Sequence, residues 1–485
     1  MSELKVAAPP PVSLQYQLET GLGRLSPEDR VAKGKDARAA VPREAHAMFD
    51  PGSGRPDPVA QLEEQAASRV PELVPVRWGR MMVSPFTYYR GAALPMASDL
   101  ATTPVTGLAV QACGDAHLSN FGLFGSAERK LVFDVNDFDE TLPGPWEWDV
   151  KRLAASMEVA ARANGFTAKE RRKIVTATVT SYRQAMRAFA AMTNLEVWYA
   201  HAEADQLQDQ FGSELKARQR KAVSKGLTKA RTRDSMEELG KLTVIKDGKP
   251  RIISDPPLLV HVDDLLPDKI ERSVFESRID EILGEYRGTL ETNRRYLLDQ
   301  YVFTDLARKV VGVGSVGTRC WIALMLGRDQ ADPLFLQIKE AGESVLSRFV
   351  GASEFANQGE RVVRGQRLMQ ATSDIFLGWQ QTDGIDGQTR HFYVRQLRDW
   401  KFSIDTETMV PRGLRLYGQA CGWTLARAHA RSGDRIAIAA YLGGSAVFDE
   451  AITEFARVYA DQNERDYQAL IDAVTSGRIT AERGL

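Results

Sequence analysis

Between Cys113 and Leu153 the chain reads CGDAHLSNFGLFGSAERKLVFDVNDFDETLPGPWEWDVKRL, and this stretch leaves few folding options. Two short apolar runs, Phe121 to Phe124 and Leu131 to Phe133, flank a polar turn from Gly125 to Lys130. That pattern predicts a β-hairpin. Asp115 and Asn120 stand before it, and Asp134, Asp137 and Asp139 stand at its exit. Closing the hairpin brings these oxygen-bearing side chains round one point. Magnesium takes a few carboxylate or carbonyl oxygens and completes its shell with water and phosphate. The set suits such an ion, with one further Asp left to orient the nucleophile in phosphoryl transfer. Each Asp or Asn taken singly reads more plainly as a turn former that caps local backbone. The joint spacing is what argues for the ion.

The rest of the chain is long enough to hold a second half of such a site. It has 485 residues, 43% hydrophobic and 26% charged, which suggests two or three domain-sized units. A formal net charge of -1 argues against a nucleic-acid coat protein, which needs a basic footprint. Cys113, Cys320 and Cys421 are far apart, so neither a disulfide framework nor a zinc site is expected. The first residues lack a basic start followed by an apolar core, and no apolar run approaches a membrane span. The expectation is a soluble cytoplasmic protein. Nothing in the sequence fixes an oligomeric state.

Residues 1–68, rich in Pro, Ala, Arg and Asp, read as an irregular arm. From Val70 to Leu100 apolar density rises, with Arg77, Arg80 and Arg90 interleaved. That is a core segment with solvated or salt-bridged arginines in preference to an anion site. Helices are expected over Asp149 to Ala163 and from Lys169 to about Ala202. Lys216 to Arg233 carries eight basic residues, a solvated helix face or a landing patch for an anionic partner. Leu242 to Ile253 reads as a hairpin turning at Asp247-Gly248.

A second region of chemistry begins at Lys309. Gly312, Gly314 and Gly317 form GxGxxG, which alone also opens dinucleotide-binding units. A dinucleotide fold needs a helix next. Here Cys320 to Leu326 and Leu334 to Ile338 read as strands, the second ending in Lys339. Strand, glycine turn, strand, loop and lysine-ending strand is the layout of a glycine flap over nucleotide phosphates, gripped by the lysine. Gly312, Gly314, Ser315 and Gly317 would form the flap. A helix over Glu360 to Gln380 follows, with Glu360 placed to pair with Lys339 and Glu354 in reserve. His391 to Leu397 reads as a strand, and Arg398-Asp399 as a hinge. Leu414 to Ala430 and Phe448 to Ala473 are helices, and His429 reads as a structural helix-end residue.

GDAHLSN and VFDVNDFDE resemble the catalytic and metal loops of aminoglycoside phosphotransferases and choline-type kinases, approximately HGDxHxxN and IDFDD. The resemblance implies Asp115 as the group that accepts or orients the acceptor hydroxyl, and magnesium on Asn120 and Asp137, with Asp134 and Asp139 competing for it. PWEWDVKRLA is similar to the helix start that braces the catalytic loop, which gives Asp149 that role. LARAHA, Leu425 to Ala430, is similar to the LARLHA helix after the hinge. From about Arg30 on, the chain also resembles the bacterial family designated domain of unknown function 2252.

The order departs from ordinary kinases, because the Asp115 block precedes the Gly312 block. Joining the C-terminus to the segment before Asp115 restores the usual order. The resemblance therefore implies an α+β, two-lobed kinase-like fold in circularly permuted order. Its parts would be an arm (1–68), a large lobe (69–300), a small nucleotide-binding lobe (301–398) and a helical remainder (399–485). Its ligands would be ATP, Mg2+ and an unidentified hydroxyl acceptor. Cys113 stands where the kin have His, which supports a rival reading, a nucleotide-binding regulator without catalysis. A second rival is a nicotinamide-dependent oxidoreductase built on Gly312 to Gly317.

Overall fold

The structure is a computed structural model that describes residues 25–212, 217–265, 272–384, 387–397, 400 and 404–485. Long helices combine with several small antiparallel sheets, an α+β class. The irregular arm is overturned over its described part. The Ser26 hydroxyl accepts from Asp29 N at 3.1 Å and starts the helix Pro27–Ala40; Asp57 caps a second helix, Pro58–Ala66. A Ser or Asp ahead of a proline at the first helical position is a start signal, and it outweighs the proline count. The arm's remainder, residues 1–24, lies outside the described residues.

Val74–Met81 (α1) and Pro85–Gly91 (α2) come next. Trp78, Met81 and Tyr88 pack there with Leu470 and Ile479 from the far end of the chain. Ala109–Ala112 (β1), Phe121–Gly125 (β2), Leu131–Val135 (β3) and Leu142–Pro145 (β4) follow. β2 and β3 form the expected hairpin, Phe121 opposite Val135, while β1 pairs with β4 and ties the ends of the stretch together.

Trp146–Ala163 (α3), buried along nearly its whole length, and Ala168–Ala191 (α4) open the helical body. The helix expected to reach Ala202 stops early, because Thr193 caps a new one, Asn194–Tyr199. Ala202–Glu203 (β5) adds to β3. The basic run is helical over Ala217–Arg231, and its first residue, Lys216, lies outside the described residues. Thr243–Lys246 (β6) and Lys249–Ile252 (β7) make the predicted hairpin, with Asp247 and Gly248 both at positive φ.

Leu259–His261 (β8), Val302–Lys309 (β9), Cys320–Leu326 (β10) and Pro333–Ala341 (β11) lead to one helix, Gln358–Met369 (α5), then Gly378–Asp383 (β12) and Thr389–Gln396 (β13). The six strands form one antiparallel sheet in the order β12-β13-β11-β10-β9-β8. The helix expected through Gln380 ends at Met369, because the backbone from Gly378 on pairs with β13 instead. Leu242, Ile252 and Leu259 share a core with Ile322 and Phe335, and Ile279 and Tyr286 share another with Leu336 and Val394. Described residues on the N-terminal side of the boundary expected at 300, from Leu242 to Leu298, therefore share cores with the sheet.

Pro411–Ser432 (α6) runs along α4, and Val447–Thr475 (α7) packs on α3. One apolar cluster threads this body through Met157, Val175, Tyr182, Leu425 and Phe455. The expected hinge, Arg398-Asp399, lies outside the described residues. Among the described residues no single helix is long and apolar enough to cross a membrane.

Candidate functional site

β1 delivers the chain to Gly114, whose φ is +79°; a Cβ there would stand 2.3 Å from the Glu140 carbonyl oxygen. Only glycine combines that backbone with that approach. Asp149, in the first turn of α3, accepts from Cys113 N at 2.6 Å and from Gly114 N at 3.0 Å. Its Oδ2 also meets His429 Nε2 at 3.0 Å, and His429 Nδ1 meets the Tyr182 hydroxyl at 2.9 Å. One turn further along α3, Arg152 reaches Asp115 Oδ1 at 2.6 Å. Asn120 Nδ2 donates to the Asp115 carbonyl at 2.8 Å. Burial pushes the Asp115 carboxyl above the usual range, and Arg152 opposes the shift.

The three acidic residues at the hairpin exit separate sharply. Asp134 is buried and accepts from Arg427 at 2.5 and 2.7 Å, from Val135 N and from Ala371 N. It is a core ion pair, which corrects its candidacy as a metal ligand. Asp139 binds Lys339 Nζ at 2.7 Å through Oδ2 and the Tyr393 hydroxyl at 2.6 Å through Oδ1. Burial would raise it, but Lys339 and these hydrogen bonds hold it below the usual carboxylate range. Asp137 lies 4.0 Å from Lys339 Nζ and is partly open to the cleft; burial and the Asp139 charge push it up. Lys339 is 3% exposed at its side chain; burial disfavours its charge, yet Asp137 and Asp139 keep it protonated.

The register of the sheet explains why Lys339 and Tyr393 act together, since they are directly paired across β11 and β13. Glu360 does not meet Lys339. Asn357 caps α5, and Glu360 binds Arg364 at 3.1 Å on the same helix. The next residue, about 100° round the helix, is the buried one. Arg361 donates to the carbonyls of Asp139, Thr141 and Gly342 at 2.8, 2.6 and 2.9 Å. The reserve candidate, Glu354, is exposed in the preceding loop.

The glycine turn is held from below. Val70 N donates to the Gly317 carbonyl at 2.8 Å, Arg80 to that of Gly312 at 2.6 Å, and Arg69 to that of Val316. Gly317 has φ +88°, and a Cβ there would press on the Arg69 side chain at 3.0 Å. β10 follows this turn, so the helix N-terminus that receives a dinucleotide pyrophosphate is not formed there. Ser315 Oγ is 3.5 Å from Asp139 Oδ2. Asp115, Asn120, Asp137, Asp139, Gly312 and Gly314 face one cleft of about 470 Å³. Among the described residues no group of three or more His, Cys, Asp or Glu forms a metal cage. An ion here would rely on Asn120 and Asp137 with ligand oxygens.

A family model described as "Uncharacterized protein conserved in bacteria (DUF2252)" matches residues 69–473. The chain belongs to DUF2252. No curated protein and no solved structure matches it. The matched span of this DUF2252 chain holds every candidate residue above. It also holds those that sequence reasoning missed: Arg152, Arg361, Tyr393 and the Asp149–His429–Tyr182 chain. Arg152 was within reach, because it sits at i+3 from Asp149 on one helix face. Tyr393 and Arg361 were not, since their roles depend on strand register and helix rotation.

Proposed function

We propose that this DUF2252 chain is an ATP- and magnesium-dependent phosphotransferase acting on a hydroxyl, with a circularly permuted, two-lobed kinase-like architecture. The observation that carries the reading is the junction at Lys339. Its ammonium lies 2.7 Å from Asp139 and 4.0 Å from Asp137, although 200 positions separate Asp139 from Lys339. A lysine, a glycine turn and a carboxylate pair beside one cleft are the parts that grip and transfer a phosphoryl group.

In this reading Lys339 and the backbone N–H groups of Gly312 to Gly317 bind the phosphates. Asp139, occupied by Lys339 and Tyr393, positions the lysine. Asn120 and Asp137 suit magnesium: Asp137 is partly open to the cleft, and the Asn120 nitrogen is committed to Asp115, which leaves its oxygen as the donor atom. When bound, the ion supplies charge neutralisation on the phosphates. Asp115 orients the acceptor hydroxyl. The acceptor oxygen bonds to the γ-phosphorus as the bond to the β–γ bridging oxygen breaks. ADP leaves, and the hydroxyl proton passes to Asp115 and then to water. A carboxylate whose pKa is raised by burial suits that duty.

Thermal stabilisation by ATP tests the reading, and it is expected to need magnesium and Lys339. Asp115→Asn is expected to keep that stabilisation and to lose turnover roughly a hundred- to ten-thousandfold. No stabilisation and no turnover would overturn it. A second reading, a nucleotide-binding regulator, draws on the Asp115–Arg152 contact at 2.6 Å, which occupies the carboxylate. ATP binding with equal hydrolysis in wild type and Asp115→Asn would favour it.

A further inference from the structure

The cleft's cations are nearly all committed. Arg152 holds Asp115, Lys339 holds Asp139, and Arg348 reaches Glu64 at 2.8 Å. Arg69 donates to the glycine turn. Arg90 is different. It lines the cleft from the end of α2, and among the described residues it forms no hydrogen bond and no ion pair. Its Nε is buried without a partner. The charges that act on it favourably are Asp115, Glu407 and Asp137. Asp115 is already paired with Arg152, so Arg90 is left without a bonded counter-charge at this end of the cleft.

His117 completes the corner. It is 4% exposed, it lines the same cleft, and its Nδ1 is buried without a partner. Its Nε2 is 3.8 Å from Asp115 Oδ2. Burial, with Arg90 and Arg152 nearby, holds the imidazole neutral. A guanidinium and a neutral imidazole line one cleft, each with an unsatisfied nitrogen, and the imidazole's other nitrogen, Nε2, faces the proposed hydroxyl-orienting carboxylate. Buried polar nitrogens of this kind are ordinarily paired, and each unpaired one calls for a partner. An oxyanion with a hydroxyl attached suits the corner: acceptor oxygens for the Arg90 guanidinium and a hydroxyl between His117 Nε2 and Asp115.

We infer that the acceptor is an anionic hydroxyl compound, its phosphate or carboxylate group seated on Arg90 and its hydroxyl directed at Asp115. This deepens the phosphotransferase reading and rests on it for the identity of the hydroxyl. The anion seat itself does not depend on that reading. Arg69 differs in that its guanidinium donates to the Val316 carbonyl of the glycine turn, and its favourable charges are Glu140, Glu340 and Asp139. A guanidinium already committed to the turn makes Arg69 the internal contrast.

The test uses the full chain and inorganic phosphate as the probe, by calorimetry at constant ionic strength, with and without saturating non-hydrolysable ATP analogue and magnesium. Phosphate is expected to bind saturably in both cases. Arg90→Gln should weaken phosphate binding by about tenfold or more, as expected for a lost hydrogen bond between charged groups. Nucleotide affinity should stay within about twofold. Arg90→Lys should recover part of the phosphate affinity. Phosphate affinity unchanged in Arg90→Gln, no saturable binding, or phosphate displaced by the nucleotide analogue would each overturn the inference. Displacement would give Arg90 to the nucleotide site. Phosphate binding that needs Arg90 in a chain that fails to bind nucleotide would keep the anion seat and discard the phosphotransferase reading.

Discussion

Asp134 and Arg427 are 3% and 1% exposed at their side chains, and they meet without water between them. Removing one member of a buried pair leaves the other charge uncompensated, at a cost of about 3–5 kcal/mol. Asp134→Ala is expected to lower the unfolding free energy in urea by about that amount. Asp137, 29% exposed, should tolerate Ala within about 1 kcal/mol. The same Asp137→Ala change should abolish magnesium-dependent nucleotide stabilisation, and reversed behaviour of the two variants would exchange their roles. Lys151 offers a test by pH. It is buried on α3, donates to Thr103 Oγ1 at 2.8 Å and lies over the Phe455 ring. Burial, opposed by Glu147, pulls its pKa down to about 7. The unfolded chain keeps that proton to about pH 10. Between those values unfolding takes up a proton, so stability rises with pH; the penalty is complete below about 7 and gone above about 10. The stability of wild type relative to Lys151→Met in urea unfolding should rise steadily from pH 7 to 10. A constant difference would show that Lys151 stays charged in the fold.

Helix α5 shows how one element can be read correctly and assigned wrongly. Its place between β11 and β12 follows from the pattern, and its acidic start is real, but Glu360 faces Arg364 while Arg361 turns inward. A register of one residue separates those outcomes, and no periodicity in twelve residues resolves it. The hairpin at 121–135 was legible because its apolar runs and turn are contiguous. Its consequence, that Asp134 points into the core toward Arg427, depends on a helix 293 positions away. β8 joined the sheet unannounced for the same reason: strand pairing across long separations leaves little local trace. The corrected orientation of α5 is open to test. Glu360→Gln should leave nucleotide-induced stabilisation within about twofold, since the side chain touches only its own helix. Arg361→Met orphans the buried Thr141 carbonyl, at a cost of about 1–3 kcal/mol, and removes the donor to the partly buried carbonyls of Asp139 and Gly342. It should lower the melting temperature markedly and broaden the nucleotide response. Loss of the response in Glu360→Gln alone would restore the original pairing with Lys339.

At the scale of the whole molecule, the two halves of the site are joined by contacts and not by chain order. The glycine turn leans on Val70, Arg69 and Arg80 from the N-terminal side. The last residues lie against the same region: Glu482 N donates to the Pro75 carbonyl at 2.9 Å, and Arg80 Nε reaches the Leu485 carbonyl at 3.1 Å. The C-terminus is therefore at the surface beside α1, close to the segment that precedes Asp115. Chains whose ends are exposed, and whose new ends fall in a loop, tolerate rearrangement. The short connection between the helix Thr292–Leu298 and β9 is such a loop, with Asp299 and Gln300 exposed. A rearranged chain that begins at Tyr301, joins Leu485 to Met1 through a glycine-serine linker and ends at Gln300 puts the glycine turn and Lys339 ahead of Asp115. It is expected to fold with the helical signal of the natural chain and to melt within about 10 °C of it, since the contacts are retained and only loop closure changes. Stabilisation by ATP and magnesium should be kept, and Lys339→Ala in the rearranged chain should remove it as it does in the natural one. A rearranged chain that folds but binds no nucleotide, beside a natural chain that does, would show that the present order of the halves is itself needed to close the cleft.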